Sequence, residues 1–149
     1  MADEDLAGAG PALFQVVRFW SRRTPTGPEG GQEEAHVNHI MVLDAVDAAS
    51  RSGREVTVAD VSRRLGVDHS GASRLVAAAT EAGHLLRDVS AADARRASLR
   101  VSDAGARLLT DAHAWQEEVF RRQVAGWSRE DALGLADGLR RLARQVEGG

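Results

Sequence analysis

The sequence predicts a mainly α fold with one small β-hairpin. Apolar residues recur at helical spacing along most of the chain. Two short segments, 85–90 and 97–102, read instead as strands around a polar turn at 91–96. Gly, Pro and helix-capping residues punctuate the chain between these stretches. At 149 residues the length fits one domain, large enough to bury a core unaided.

Residues 1–10 are acidic at Asp3, Glu4 and Asp5 and read as a frayed end. Pro11 suits a first helical turn, and Leu13, Phe14, Val16, Val17 and Trp20 form an apolar stripe to about Arg23. Pro25, Gly27, Pro28, Gly30 and Gly31 make residues 24–32 a loop. A second helix over 33–50 takes its core contacts from Val37, Ile40, Met41, Leu43 and Val46, and Gly53 ends it; residues 56–58 suit a very short strand. Thr57 caps a helix over 58–65, with Asp60 placed for a capping box, and Gly66 terminates it. Asp68 caps the next helix, 69–82, which Gly83 ends. Ser102 caps a long helix carrying Leu108, Leu109, Trp115, Val119 and Phe120. Ser128 and Asp131 open a last one with Leu133, Leu135, Ala136, Leu139, Leu142 and Val146.

Two short helices joined at Gly66 form a helix-turn-helix, with Val61, Leu65, Val67, Ala72, Leu75 and Val76 inward and Ser62 and Ala72 as the small residues at the crossing. Ser70, Gly71, Ser73, Arg74 and Ala77 are then left on the outer face of the second helix. That face is short-chained and polar enough to enter a major groove, and its N-terminal amides can meet a phosphate. The hairpin follows directly. Helix-turn-helix, strand, basic tip and strand, in that order, make a winged helix. Arg95 and Arg96 at the tip can reach phosphate or a minor groove. Asp93 would repel DNA if it faced outward; an ion pair with Arg95 resolves this and orders the wing.

Charge distribution agrees. The chain carries net −3, yet residues 51–107 hold ten arginines against seven acidic residues, a basic centre between acidic flanks. All 19 basic residues are arginine, and cysteine is absent, which excludes disulfides, thiolate metal sites and thiol redox sensing. There is no long apolar run to span a membrane, and the acidic start does not suit a signal peptide, so the expected location is the cytoplasm. No Gly-rich phosphate loop, clustered acid pair or nucleophile elbow is present, and Asp111 and His113, two apart on a helix, face different ways; an enzyme is not expected.

The run Asp93, Arg95, Leu99, Val101, Ser102, Gly105 resembles the wing signature of the MarR (multiple antibiotic resistance regulator) family, with Val101 and Ser102 in place of the commoner Leu and Thr. The resemblance extends to helix order and length. It implies a single winged helix-turn-helix domain over 1–149, in which 51–102 bind DNA and the terminal helices, 11–50 and 103–147, form a homodimer. It further implies a repressor on an inverted-repeat operator, with Ser70, Gly71, Ser73 and Arg74 facing bases and phosphates and Arg95 and Arg96 serving the wing. Arg64, and less so Arg63, are candidate backbone contacts or solvated charges. All six aromatic residues, Phe14, Phe19, Trp20, Trp115, Phe120 and Trp127, lie outside 51–107, which supports a shared core between two copies.

Family resemblance also implies a small aromatic or phenolic anion as effector. Arg18, Trp20, His36, His39 and Met41 are the candidates: a cation, a stacking ring and two hydrogen-bonding rings, although Trp20 and Met41 suit a core equally well. His36 and His39 share one side of a helix, but without cysteine neither a metal site nor a cofactor is expected. The alternative to a DNA-binding regulator is a winged-helix module that docks a protein partner.

Overall fold

The computed structural model describes residues 3–21 and 33–148, which divide into two compact units, Met1–Asn38 and His39–Gly149. The expected loop at 24–32 lies outside the described residues.

In the first unit a 3-10 turn over Asp3–Leu6 replaces the expected frayed end. Helix α1 spans Ala9–Ser21 and so begins two residues before Pro11. Pro11 still falls in the first turn, where a backbone N–H has no helical acceptor to lose. Helix α2, Glu33–Ser50, runs across the division between the units.

The second unit is built around α2. Val42 and Leu43, adjacent in sequence, are both fully buried, and Ile40, Ala45, Val46 and Ala49 join them. Neighbouring helical residues point about 100° apart, so burial of both means that α2 is covered on more than one side. Met41, expected to face the core, is exposed, because the covered arc is centred on Leu43 and Val46 and leaves Met41 outside it.

Helices α3 (Val58–Leu65) and α4 (His69–Glu81) form the helix-turn-helix. Thr57 and Asp60 complete the expected capping box. The turn passes through Gly66 at φ 64°, a left-handed conformation that glycine adopts without a Cβ clash. Ser62 donates to the Val67 carbonyl at 2.7 Å, which fastens the two helices at their crossing. Val61, Ala72, Val76 and Ala79 are buried, with Leu65, Val67 and Leu75 packed against them.

Strands β1 (Leu85–Val89) and β2 (Ala97–Val101) pair antiparallel, with Leu85 opposite Val101 and Arg87 opposite Leu99. Opposed residues share a face, so Leu85, Arg87, Val89, Ala97, Leu99 and Val101 lie on one side, and Leu86, Asp88, Ser98 and Arg100 on the other. Leu85 and Leu99 enter the core. The short strand expected at 56–58 reduces to one bridge, in which the Leu99 N–H donates to the Val56 carbonyl at 2.8 Å.

Helix α5 spans Asp103–Gln123 behind its cap Ser102, and α6 spans Arg129–Gly148. Gly105 sits where any side chain would collide: a Cβ there would lie 2.1 Å from the His84 carbonyl oxygen. That same carbonyl accepts the Ser102 N–H at 3.0 Å, and Ser102 Oγ accepts the Gly105 N–H at 3.0 Å. The glycine of the wing signature is thus the point where α5 lies directly against the turn from α4 to β1. Among the described residues no helix is long and apolar enough to cross a membrane.

Candidate nucleic-acid interface

The outer face of α4 is as the spacing predicts. Ser70, Arg74 and Ala77 are exposed, and Gly71 and Ser73 half-exposed. Arg74 and Arg64 make no ion pair among the described residues, so both cations are available to an external anion. Arg63 instead pairs with Asp60. Burial opposes ionisation of Asp60, but the Thr57 N–H and hydroxyl, with Arg63, outweigh it and hold the carboxyl below its ordinary range.

At the start of α4 the Gly71 N–H already donates to the Asp68 carboxylate at 2.6 Å. That amide is therefore not open to a phosphate, contrary to expectation. A Cβ on Gly71 would also stand 2.8 Å from the Asp68 oxygen, so the glycine keeps the cap close.

A cleft separates α4 and the start of α3 from the wing. It is a cavity of about 340 Å³ bordered by Thr57, His69 and Ser73 on the helical wall and by Arg87, Arg95 and Arg96 on the wing. Sequence reasoning placed Ser73, Arg95 and Arg96 here and missed Arg87 and His69. Arg87 was recoverable: two residues beyond the inward Leu85 on a period-two strand, it must share that face. His69 carried no distinguishing local signal.

The wing tip is tied internally. Asp93 Oδ1 accepts the Arg95 backbone N–H at 3.0 Å, and the Asp93 carbonyl accepts the Arg96 N–H at 3.0 Å. The guanidinium groups stand farther away, Arg95 Nε at 3.6 Å and Arg96 Nε at 3.8 Å. Asp93 thus acts mainly on the backbone, with the ion pair expected for Arg95 as a looser addition shared with Arg96. On the outer face Arg100 pairs with Asp88 at 2.8 Å.

The tip is also tied to a residue that sequence reasoning missed. Glu55, just before α3, accepts a hydrogen bond from the Ser90 hydroxyl and another from the Ala91 N–H at 2.8 Å. These two donors lower the Glu55 pKa against a smaller opposing effect of desolvation. Its partners lie 35 and 36 residues away, and no local pattern reveals such a pair.

The effector candidates fall in both units. Arg18 and Trp20 stand near the end of α1, where Trp20 meets Phe19 edge-on at 5.0 Å between centroids. His39, on α2, is buried, and its Nδ1 lies 3.1 Å from that of His84. Met41 is exposed, and the His36 side chain lies outside the described set. His113 bonds Asp44 at 2.8 Å. Among the described residues no three His, Asp or Glu groups are placed to hold a metal ion.

Comparison with known proteins agrees with this arrangement. Residues 36–96 match the model described as MarR family. No curated protein matches the sequence. The structure is similar to a MarR family protein from Bacillus stearothermophilus, at 15% identity and TM-score 0.70, covering 98% of each chain. It is similar to the PcaV transcriptional regulator from Streptomyces coelicolor in complex with its natural ligand, at 21% identity and TM-score 0.59, covering 97% of this chain and 98% of that one. It is also similar to a mutant of MepR from S. aureus bound to an oligodeoxyribonucleotide, at 16% identity and TM-score 0.57, covering 91% of this chain and 96% of that one. At these identities the structural likeness establishes the fold. The family match covers residues 36–96, from α2 through the helix-turn-helix to the wing tip, and over that stretch the chain is similar to the MarR family.

Proposed function

We propose that this protein is a transcriptional regulator that binds double-stranded DNA as a homodimer, placing α4 of each copy in a major groove of an inverted-repeat operator. The observation that carries the reading is the cleft in which three wing arginines face the polar start of α4. In this reading Ser70, Ser73 and Arg74 meet base edges and phosphates. Gly71, its N–H committed to Asp68, contributes only close backbone approach. Arg95, Arg96 and Arg87 hold the backbone beside the groove, Arg64 meets a neighbouring phosphate, and Asp93 orders the tip. The oligodeoxyribonucleotide on MepR supports a DNA ligand for this fold.

Dimerisation is supported by apolar surface that a lone copy leaves in water. On α1, Leu13, Phe14, Val16, Val17 and Phe19 are exposed; on α6, Leu133, Leu139, Leu142 and Val146. Patches of this kind on terminal helices call for another surface. Two copies would set their α4 helices about 34 Å apart, one turn of DNA.

The proposed action is repression relieved by a small aromatic or phenolic anion. Arg18, Trp20 and His39 are each candidate contacts, on their chemistry alone, and the ligand complex of PcaV supports the class of control. Sequencing duplexes selected by the purified protein tests the central claim. An inverted-repeat motif is expected, with affinity falling steeply and log-linearly with salt. Arg74→Ala and Arg95→Ala should each weaken binding to the selected duplex about tenfold, by roughly 1–2 kcal/mol for lost phosphate and base contacts. Recovery of no motif, with both variants unchanged, would refute the reading.

A further inference from the structure

We infer that Glu55 is the positioning residue for the wing arginines, acting through Ser90 on the backbone of the tip; the inference rests on the DNA-binding reading above. A carboxylate beside a phosphate-facing loop is at first sight a liability, since like charges repel. Here both of its oxygens face inward to the loop. One accepts the Ser90 hydroxyl and the other the Ala91 N–H at 2.8 Å.

Ser90 passes the constraint on. It is 6% exposed, and its Oγ, having donated its proton toward Glu55, accepts the N–H groups of Ala92 and Asp93, each at 3.2 Å. Asp93, so held, accepts the Arg95 and Arg96 amides, and the Arg96 carbonyl accepts the Ser90 N–H at 3.1 Å. A closed circuit of hydrogen bonds therefore fixes the backbone from 90 to 96, with Glu55 as its only member from outside the hairpin among the described residues. A donated hydroxyl is a better acceptor, so the links strengthen one another.

Glu55 is itself anchored. Its neighbour Val56 is bonded to Leu99 through the 2.8 Å bridge, so the carboxylate reaches the tip from a segment already fastened to β2. The two arginines are long and exposed, their guanidinium groups only loosely paired with Asp93, so their backbone origin is the main determinant of where they reach. Glu55 sets that origin.

The test compares Glu55→Ala, Glu55→Gln and Ser90→Ala in the full chain, by amide hydrogen exchange and by binding to the selected duplex. Exchange at Ala91, Ala92 and Asp93 should accelerate at least tenfold in Glu55→Ala, while Val76 in the core stays protected. Duplex affinity should fall about tenfold, and the Gln variant, which keeps one acceptor, should recover part of it. In an Arg95→Ala, Arg96→Ala background, Glu55→Ala should change affinity less than twofold, a coupling that general destabilisation would not produce. Unchanged exchange at the tip overturns the inference, as does a gain in affinity for both Glu55 variants, which would mean simple repulsion of phosphate. If the wild-type chain binds no duplex, the DNA reading fails by itself, and exchange at the tip still decides whether Glu55 orders the wing.

Discussion

Single positions in this chain carry burdens that their type alone does not announce. Gly105 is legible in the sequence as the last residue of the wing signature, but the reason for it is spatial: the His84 carbonyl occupies the place of a side chain. Because that obstacle is backbone, it cannot rotate aside, and Gly105→Ala should cost about 2 kcal/mol or more, read as a lower urea midpoint. Asp68 presents the opposite case, legible in full. Its capping role follows from its place before an apolar-periodic run, and the bond to Gly71 N–H is present. Asp68→Ala should lose about 1 kcal/mol, with the first turn of α4 exchanging fastest. Leu43 is wholly buried at the centre of the second unit, so Leu43→Ala should be more damaging than either, about 2–5 kcal/mol by thermal or chemical denaturation.

Elements are legible from sequence to within a residue or two wherever caps and periodicity agree, as at Thr57, Gly66 and Ser102. Legibility fails where burial depends on what surrounds an element. Met41 has the hydropathy of a core residue, and only the packing around α2 decides that Leu43 and Val42 are covered and Met41 is not. The wing shows the same limit. Its strands and its Asp93 turn are local and legible; its fastening to Glu55 joins residues too far apart in sequence for any spacing rule. That fastening has a pH signature. The Ser90 hydroxyl and the Ala91 N–H favour the carboxylate, which places the folded pKa below the ordinary glutamate value. The tie is thus complete above that ordinary value and is lost as pH falls through the depressed one. Exchange at Ala91 and Ala92 should quicken in that acidic window before the core amides respond, and Glu55→Gln should abolish the pH step.

At the scale of the molecule, the cleft and the main exposed apolar residues lie on different elements. The arginines that line the cleft belong to the winged helix, and the exposed large apolar residues concentrate on α1 and α6. Phe14 is 63% exposed in a single copy; if the proposed dimer forms through α1, a Phe14→Glu substitution should yield a monomer by light scattering at micromolar concentration, with duplex affinity collapsing as bivalency is lost. A persistent dimer would move the interface elsewhere. One detail of the hairpin bears on how such a protein can be controlled. Leu99 is grasped twice, by its amide at Val56 and by its side chain among the helices. Both holds oppose a hinge at that point of the wing. Under the proposed DNA-binding role, a signal that releases the duplex is expected to turn helix-turn-helix and hairpin together, because Leu99 joins the flap to the helices.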